Sequence, residues 1–230
     1  LLLALQAPVA LCPDRLKSAQ ELLTRGCDFI IMDDGFQSAR LHADFALLVV
    51  DSTRGIGNGK VIPAGPLRAP LTDQMRKTDA LLRIGKGSEA DKVVRQASRA
   101  GRAVYDAQLI PSSSAEVSGK RWLAFAGIGN PSKFFASVRQ AGGETVDTRI
   151  FADHYAYGPK DINELQENAA RLGVSLITTA KDQVRLATMQ STPDEFLEKL
   201  AVLDVELKFD RTDVTDLIIN KAIEKFKTRS

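Results

Sequence analysis

Cysteine is nearly absent: Cys12 and Cys27 are the only two among 230 residues, and neither belongs to a CxxC or a Cys/His cluster. That argues against a zinc site and a disulfide framework, and a reducing cytosolic compartment fits best. Charge of one sign is lacking too. The net charge is +2, which gives no broad electrostatic case for binding nucleic acid. No apolar run approaches the roughly 20 residues needed to cross a bilayer, and no signal peptide is visible. Also missing is GxxxxGK[ST], the phosphate-cradling loop of many nucleotide enzymes. What remains is 44% hydrophobic residues, enough for one large domain or two small ones. The chain opens on Leu1 rather than Met, within Leu1-Leu2-Leu3-Ala4-Leu5. That run reads as the end of a helix already under way, so an amino-terminal part is expected upstream.

Two hydrophobic periods alternate along the chain. Short apolar runs predict strands at 9–11, 29–32, 45–50, 78–84, 122–126, 145–150, 176–179 and 202–207. Helical spacing predicts helices at 14–24, 89–100, 131–140, 160–172 and 212–227. The last should bury Leu217, Ile218, Ala222 and Phe226. Strands alternating with helices of this length imply βαβ units and largely parallel sheets. A Gly/Pro-rich stretch at 54–70 is long for a loop without structure of its own, and such loops are usually functional or disordered. Pro111-Ser112-Ser113-Ser114 interrupts the pattern and reads as a connection between lobes.

The residues that could carry chemistry follow the strands. Asp33 and Asp34 close the expected strand at 29–32, where open α/β sheets bind ligands. Mg²⁺ is commonly held by one or two carboxylates plus phosphates, although a strand ending in Asp-Asp-Gly also suits a plain turn. The loop from Asp51 to Arg68 leaves another strand. Its glycines would let backbone N–H groups approach a phosphate, and Arg54, Lys60 and Arg68 could supply countercharge; a solvated surface loop is the other reading. Gly127-Ile128-Gly129-Asn130-Pro131 starts a helix and offers its N-terminus to an anion, though strand-to-helix turns need glycine anyway. Phe151-Ala152-Asp153-His154-Tyr155 holds one of two histidines. His154 beside Asp153 could orient or tune a general base, or be merely structural or exposed. His42 has no assigned role. In Thr178-Thr179-Ala180-Lys181-Asp182, Thr179 is a plausible N-cap and Asp182 suits the helix dipole.

In this order the motifs resemble those of the tetraacyldisaccharide 4′-kinases, the lipid A 4′-kinases of Gram-negative bacteria. The likeness runs through Asp33-Asp34-Gly35-Phe36-Gln37, Gly57-Asn58-Gly59, Pro63-Ala64-Gly65-Pro66-Leu67-Arg68, Ala126-Gly127-Ile128-Gly129-Asn130-Pro131, Phe151-Ala152-Asp153-His154 and Thr178-Thr179-Ala180-Lys181-Asp182. The long loop is its most specific element. The resemblance implies an α/β fold: a P-loop-kinase-like, largely parallel lobe and a second, smaller α/β/α lobe, joined by a short β linker. The lobes would span 1–102 and 121–230 around a linker at 103–120, with the last helix packing back on the first lobe. It implies ATP- and Mg²⁺-dependent phosphorylation of the 4′-hydroxyl of tetraacyldisaccharide 1-phosphate. It also implies a monomer working in peripheral contact with the cytoplasmic face of the inner membrane, with no nucleic-acid partner. Carried over by position, Asp33 and Asp34 become catalytic and Mg²⁺-side carboxylates. Arg68 becomes a cation near the transferred phosphoryl group or the substrate, and His154 orients or tunes the base. Gln37, Gly57, Asn58 and Gly59 become the nucleotide-side contacts.

Two departures stand out. The family usually carries His after the Gln of DDGFQ, where this chain has Ser38. The family's P-loop, its aspartate base and its membrane-associating helix would all precede Leu1, so this polypeptide alone is expected to bind ATP poorly and not to turn over. Two other readings compete. One is a different P-loop NTPase such as a GTPase-like switch, against which stands the absence of Asn-Lys-x-Asp. The other is a noncatalytic binding protein that kept the substrate lobe.

Overall fold

Helices form at α1 Arg15–Thr24, α2 Leu71–Lys77, α3 Asp91–Arg99, α4 Ser114–Val117, α5 Pro131–Gln140, α6 Pro159–Leu172, α7 Ala180–Ala187, α8 Asp194–Lys199 and α9 Val214–Arg229. Strands form at β1 Leu47–Asp51, β2 Ala80–Ile84, β3 Ala103–Pro111, β4 Arg121–Ala126, β5 Glu144–Ile150, β6 Ser175–Thr179, β7 Ala201–Leu203 and β8 Val205–Phe209. The computed structural model describes residues 2–38, 40–112 and 114–229. Leu1 of the leucine run and Ser113 of the expected connection lie outside the described residues. The rest of that leucine run forms a 3-10 turn at Leu3–Leu5.

The chain divides into two compact units. One comprises Pro8–Leu109 and Leu207–Ser230; the other comprises Ile110–Glu206 together with Leu1–Ala7. The first is the host and the second the inserted unit, because 110–206 interrupts the host's sequence. The passages into and out of 110–206 fall within β3 and β8, and a third lies between Ala7 and Pro8.

The host sheet has the order β1-β2-β3-β8, with β1, β2 and β3 parallel. Both of its faces are covered, as a parallel sheet requires. Val50 and Leu81 on one face meet Met75 of α2 and Val93 and Ala97 of α3. Ala80, Leu82, Tyr105 and Ala107 on the other meet Val214 of α9. Leu81 is 0% exposed, and burying such a side chain contributes about 1.5–3 kcal/mol. Helix α9 is tied down at its far end by ion pairs from Lys225 to Asp79 and from Arg229 to Asp44. Its buried residues are Val214 and Ala222, with Ile218 packed against the same cluster. Phe226, expected inside, is 58% exposed.

Several expected elements take another form. The apolar runs 9–11 and 29–32 are not strands. Leu11 is 90% exposed and Ile31 is 85% exposed. An apolar run becomes a parallel strand only where neighbouring strands accept its hydrogen bonds, and no described strand pairs with either run. The expected strand 202–207 is two strands broken at Asp204: β7 joins one sheet and β8 the other. Residues 103–111, placed in the linker by sequence, form β3, which pairs with β2 from Ala103 to Ala107.

The inserted sheet has the order β5-β4-β6-β7, parallel throughout. Period-2 alternation in β4 sends Trp122, Ala124 and Ala126 to a core with Phe134, Phe135 and Val138 of α5. Leu123 and Phe125 point the other way, to Ile162, Leu165 and Ala169 of α6 and Leu186 of α7. Helices on both faces make this a doubly wound unit. Pro131 and Pro159 open α5 and α6, and Gly173 closes α6 at φ +63° in the left-handed region. The chain leaves β4 toward β5 on one side and crosses to β6 on the other. The loop after β4 and the start of α7, which follows β6 directly, therefore meet at the topological switch point, where α/β sheets place ligand crevices. Among the described residues no helix is long and apolar enough to cross a membrane.

Candidate active site

In the host unit the Asp-Asp-Gly segment is a turn. Asp33 and Asp34 are both exposed, and Asp34 sits at φ +46°, uncommon for a residue with a side chain. Arg68 reaches it from the far end of the long loop: its Nη1 donates to Asp34 Oδ1 at 3.0 Å and Oδ2 at 2.9 Å. The same Nη1 lies 3.5 Å from Gln37 Oε1. Arg15 of α1 donates to the Asp34 carbonyl at 3.1 Å. The Arg68–Asp34 side chains are 56% and 67% exposed, so the pair adds at most about 1 kcal/mol of stability. Its significance is positional: it joins the loop to the acidic turn.

The loop is shaped from within. Asn58 Nδ2 donates to Ala64 O at 2.7 Å, and Asn58 Oδ1 accepts from the Lys60 N–H at 3.1 Å. Val61 and Leu67 form a bridge, and Gln74 of α2 holds the exit by donating to Ala69 O at 2.7 Å. Asn58 thus pins the loop that carries Arg68. Gly57 and Gly59 on either side of it allow the path, with φ of +56° and +70°. Gly65 is fixed by close approach, since a Cβ there would lie 2.1 Å from Asn58 Oδ1 and 2.4 Å from Lys60 O. Gly65→Ala should therefore break the Asn58 pin and displace Arg68 while leaving the host core folded. The check is faster proteolysis confined to 55–68 with unchanged far-ultraviolet circular dichroism; unchanged cleavage would refute it.

The inserted unit gathers a second group at its switch point. Asp182 is 0% exposed and accepts from the Gly127 N–H at 3.1 Å and from Thr179 Oγ1 at 2.7 Å. Thr179 in turn caps α7 by accepting from the Asp182 N–H at 3.1 Å. Arg185, one turn along α7, donates through Nη1 to Asp182 Oδ1 at 2.9 Å and to Gly127 O at 2.6 Å. Its Nη2 lies 3.4 Å from His154 Nδ1. His154 adopts φ +59°, its N–H donates to Asp153 Oδ1 at 3.0 Å, and its ring Nε2 lies 3.9 Å from Asp153 Oδ2. Tyr157 is buried, with its Oη and the Asp182 carboxylate both facing Gly127. Burial pushes its phenol up, and the Asp182 charge adds to the shift.

The sequence profile of the tetraacyldisaccharide-1-P 4′-kinase family matches residues 1–223. This chain belongs to that family. Tetraacyldisaccharide 4′-kinases of Brucella ovis and Brucella canis are each 71% identical to it over 229 residues, covering 100% of this chain and 67% of theirs. The chain thus spans about two thirds of the length of the curated relatives it matches. A crystal structure of LpxK from Aquifex aeolicus, described as in complex with ATP, superposes with a TM-score of 0.60. It covers 90% of this chain and 62% of its own at 20% identity, a likeness of fold.

Among the family motifs, the structure brings Asp34, Gln37 and Arg68 together in the host unit and sets Asp33 beside them in the same turn. Gly57, Asn58 and Gly59 build the loop that carries Arg68. His154 belongs to the inserted unit. Sequence reasoning missed Arg185 and Tyr157. The Asp182/Arg185 spacing of one helical turn was a signal for the former; the bond from Arg185 to Gly127, 58 positions away, had none.

Proposed function

We propose that this chain is the larger part of an enzyme that transfers the γ-phosphoryl group of ATP to the 4′-hydroxyl of tetraacyldisaccharide 1-phosphate in lipid A synthesis. The observation that carries the reading is Arg68 meeting Asp34 and Gln37, which unites the long loop and the Asp33–Gln37 motif at one place. Phosphoryl transfer relies on positioning and charge stabilisation more than on covalent chemistry by the protein. Arg68 is a cation for the phosphoryl or substrate phosphate, Gln37 a polar contact beside it, and Gly57, Asn58 and Gly59 shape the nucleotide-side loop. His154 orients or tunes the base.

Asp33 and Asp34, exposed side by side in one turn, are the carboxylates available to Mg²⁺, Asp34 on exchanging its Arg68 contact. Among the described residues no group of three or more His, Cys, Asp or Glu could cage a metal, and Mg²⁺ ordinarily asks for only one or two carboxylates, with phosphates completing its shell. Asp33 and Asp34 would hold it. When bound, the ion would neutralise phosphate charge. The enzyme would act as a monomer in peripheral contact with the cytoplasmic face of the inner membrane.

The 230 residues contain no GxxxxGK[ST], so the chain alone should bind Mg²⁺–ATP weakly and should not turn over. Titration calorimetry checks the first statement, and sub-micromolar affinity would overturn it. For the second, 4′-kinase turnover is compared between this chain and the chain completed with the portion of a Brucella enzyme that it does not cover. Activity should appear only on completion. A completed, folded protein without activity would refute the kinase reading.

A further inference from the structure

We propose that Arg185 is a positioning residue for His154: anchored on the buried Asp182, it holds the imidazole in one orientation with its neutral-form proton on Nε2. The consequence for turnover rests on the kinase reading above; the tautomer does not.

The guanidinium is used as a fork. One nitrogen, Nη1, is committed to the protein interior through Asp182 Oδ1 at 2.9 Å and Gly127 O at 2.6 Å. The other, Nη2, is presented to His154 Nδ1 at 3.4 Å. A guanidinium has only donors and stays protonated in proteins, so its imidazole partner atom must accept. Nδ1 is therefore unprotonated, and the proton of the neutral ring resides on Nε2, the nitrogen on the Asp153 side at 3.9 Å.

Among the described residues, the ring's other polar neighbour is the Asp153 carboxylate, 3.9 Å from Nε2. The His154 side chain is 83% exposed, so packing does not orient it. Its backbone is nevertheless fixed in a left-handed conformation that non-glycine residues seldom adopt, with its N–H bonded to Asp153. Such conformations persist where the surroundings over-determine them. The Arg185 side chain, at 23% exposure, and Asp182, at 0%, supply the rigid support. The loop after β5 is thereby linked to the loop after β4 and to α7 through one side chain.

Nitrogen-15 NMR of the full chain at a pH where imidazole is neutral tests this. His42→Gln leaves His154 as the only imidazole. The expected spectrum is that of a single tautomer, with Nδ1 pyridine-type and Nε2 pyrrole-type. Arg185→Lys can still pair with Asp182 but cannot fork, so both nitrogen shifts should move toward averaged positions while Trp122 fluorescence reports a folded unit. Averaged shifts in the parent chain, or no change in Arg185→Lys, would overturn the proposal. If Arg185→Lys unfolds, the parent spectrum decides by itself. In the completed enzyme Arg185→Lys should lower kcat on the order of tenfold or more with KM unchanged. A fixed tautomer in a completed chain without activity would refute the kinase reading and leave the positioning role standing.

Discussion

Asp182→Ala should lower the stability of the inserted unit by about 3–5 kcal/mol, the usual result of removing one partner of a buried ion pair. The carboxylate accepts from the Gly127 N–H, the Thr179 hydroxyl and the Arg185 guanidinium while fully buried. Its loss would leave the Gly127 N–H and the Thr179 hydroxyl without this acceptor and Arg185 without its countercharge. Asp182→Asn keeps an acceptor oxygen and should cost less, about 1–3 kcal/mol. Trp122 makes the measurement specific: it is the chain's one tryptophan, 3% exposed, with its indole N–H on Val117 O at 3.1 Å. Urea unfolding followed by its fluorescence should show the midpoint of Asp182→Ala reduced by on the order of 2 M. An unchanged midpoint would show that the buried pair does not hold the switch point together.

The second large effect concerns activity. In the completed enzyme, Asp34→Asn should reduce turnover by about 10²–10³-fold, the scale of losing one electrostatic stabiliser. His154→Ala should reduce it by about 10²–10⁴-fold if the imidazole orients or tunes the base. Both side chains are largely exposed, at 67% and 83%, so each substitution should change stability by no more than about 1 kcal/mol. Steady-state assays beside thermal unfolding separate the two quantities. Variants that keep full activity, or that lose it only by unfolding, would remove these residues from the chemistry.

Sequence alone was most informative where local punctuation and burial agree. Helix α5 runs Pro131–Gln140 as expected, because proline opens it and Gly142 and Gly143 follow it. Strand β4 was legible because its entire apolar run is buried. The run at 29–32 looks the same in composition, yet Phe29 and Ile30 remain 45% and 38% exposed. Hydrophobicity states a preference for burial and says nothing of whether a neighbouring strand is there to receive it. Asp204 is a similar case, since periodicity cannot see a chain that changes sheets between residues 203 and 205. At the site, Asp34 and Arg68 could be named from motifs, but their meeting is a contact across 34 positions. The Asp182–Arg185–His154 chain was hidden for the same reason: it depends on α7 and on the loops after β4 and β5, which only the sheet order brings together.

The interruption of the host by residues 110–206 also has a consequence for synthesis. The Ser112 N–H bonds to Asp204 O at 3.0 Å, so the ends of the insertion close on each other like the termini of an independent domain. Translation finishes this middle segment while the host still lacks β8 and α9. The usual order, in which the earliest domain folds first, is thus reversed: the host's last strand and its covering helix leave the ribosome only after the inserted sheet is complete.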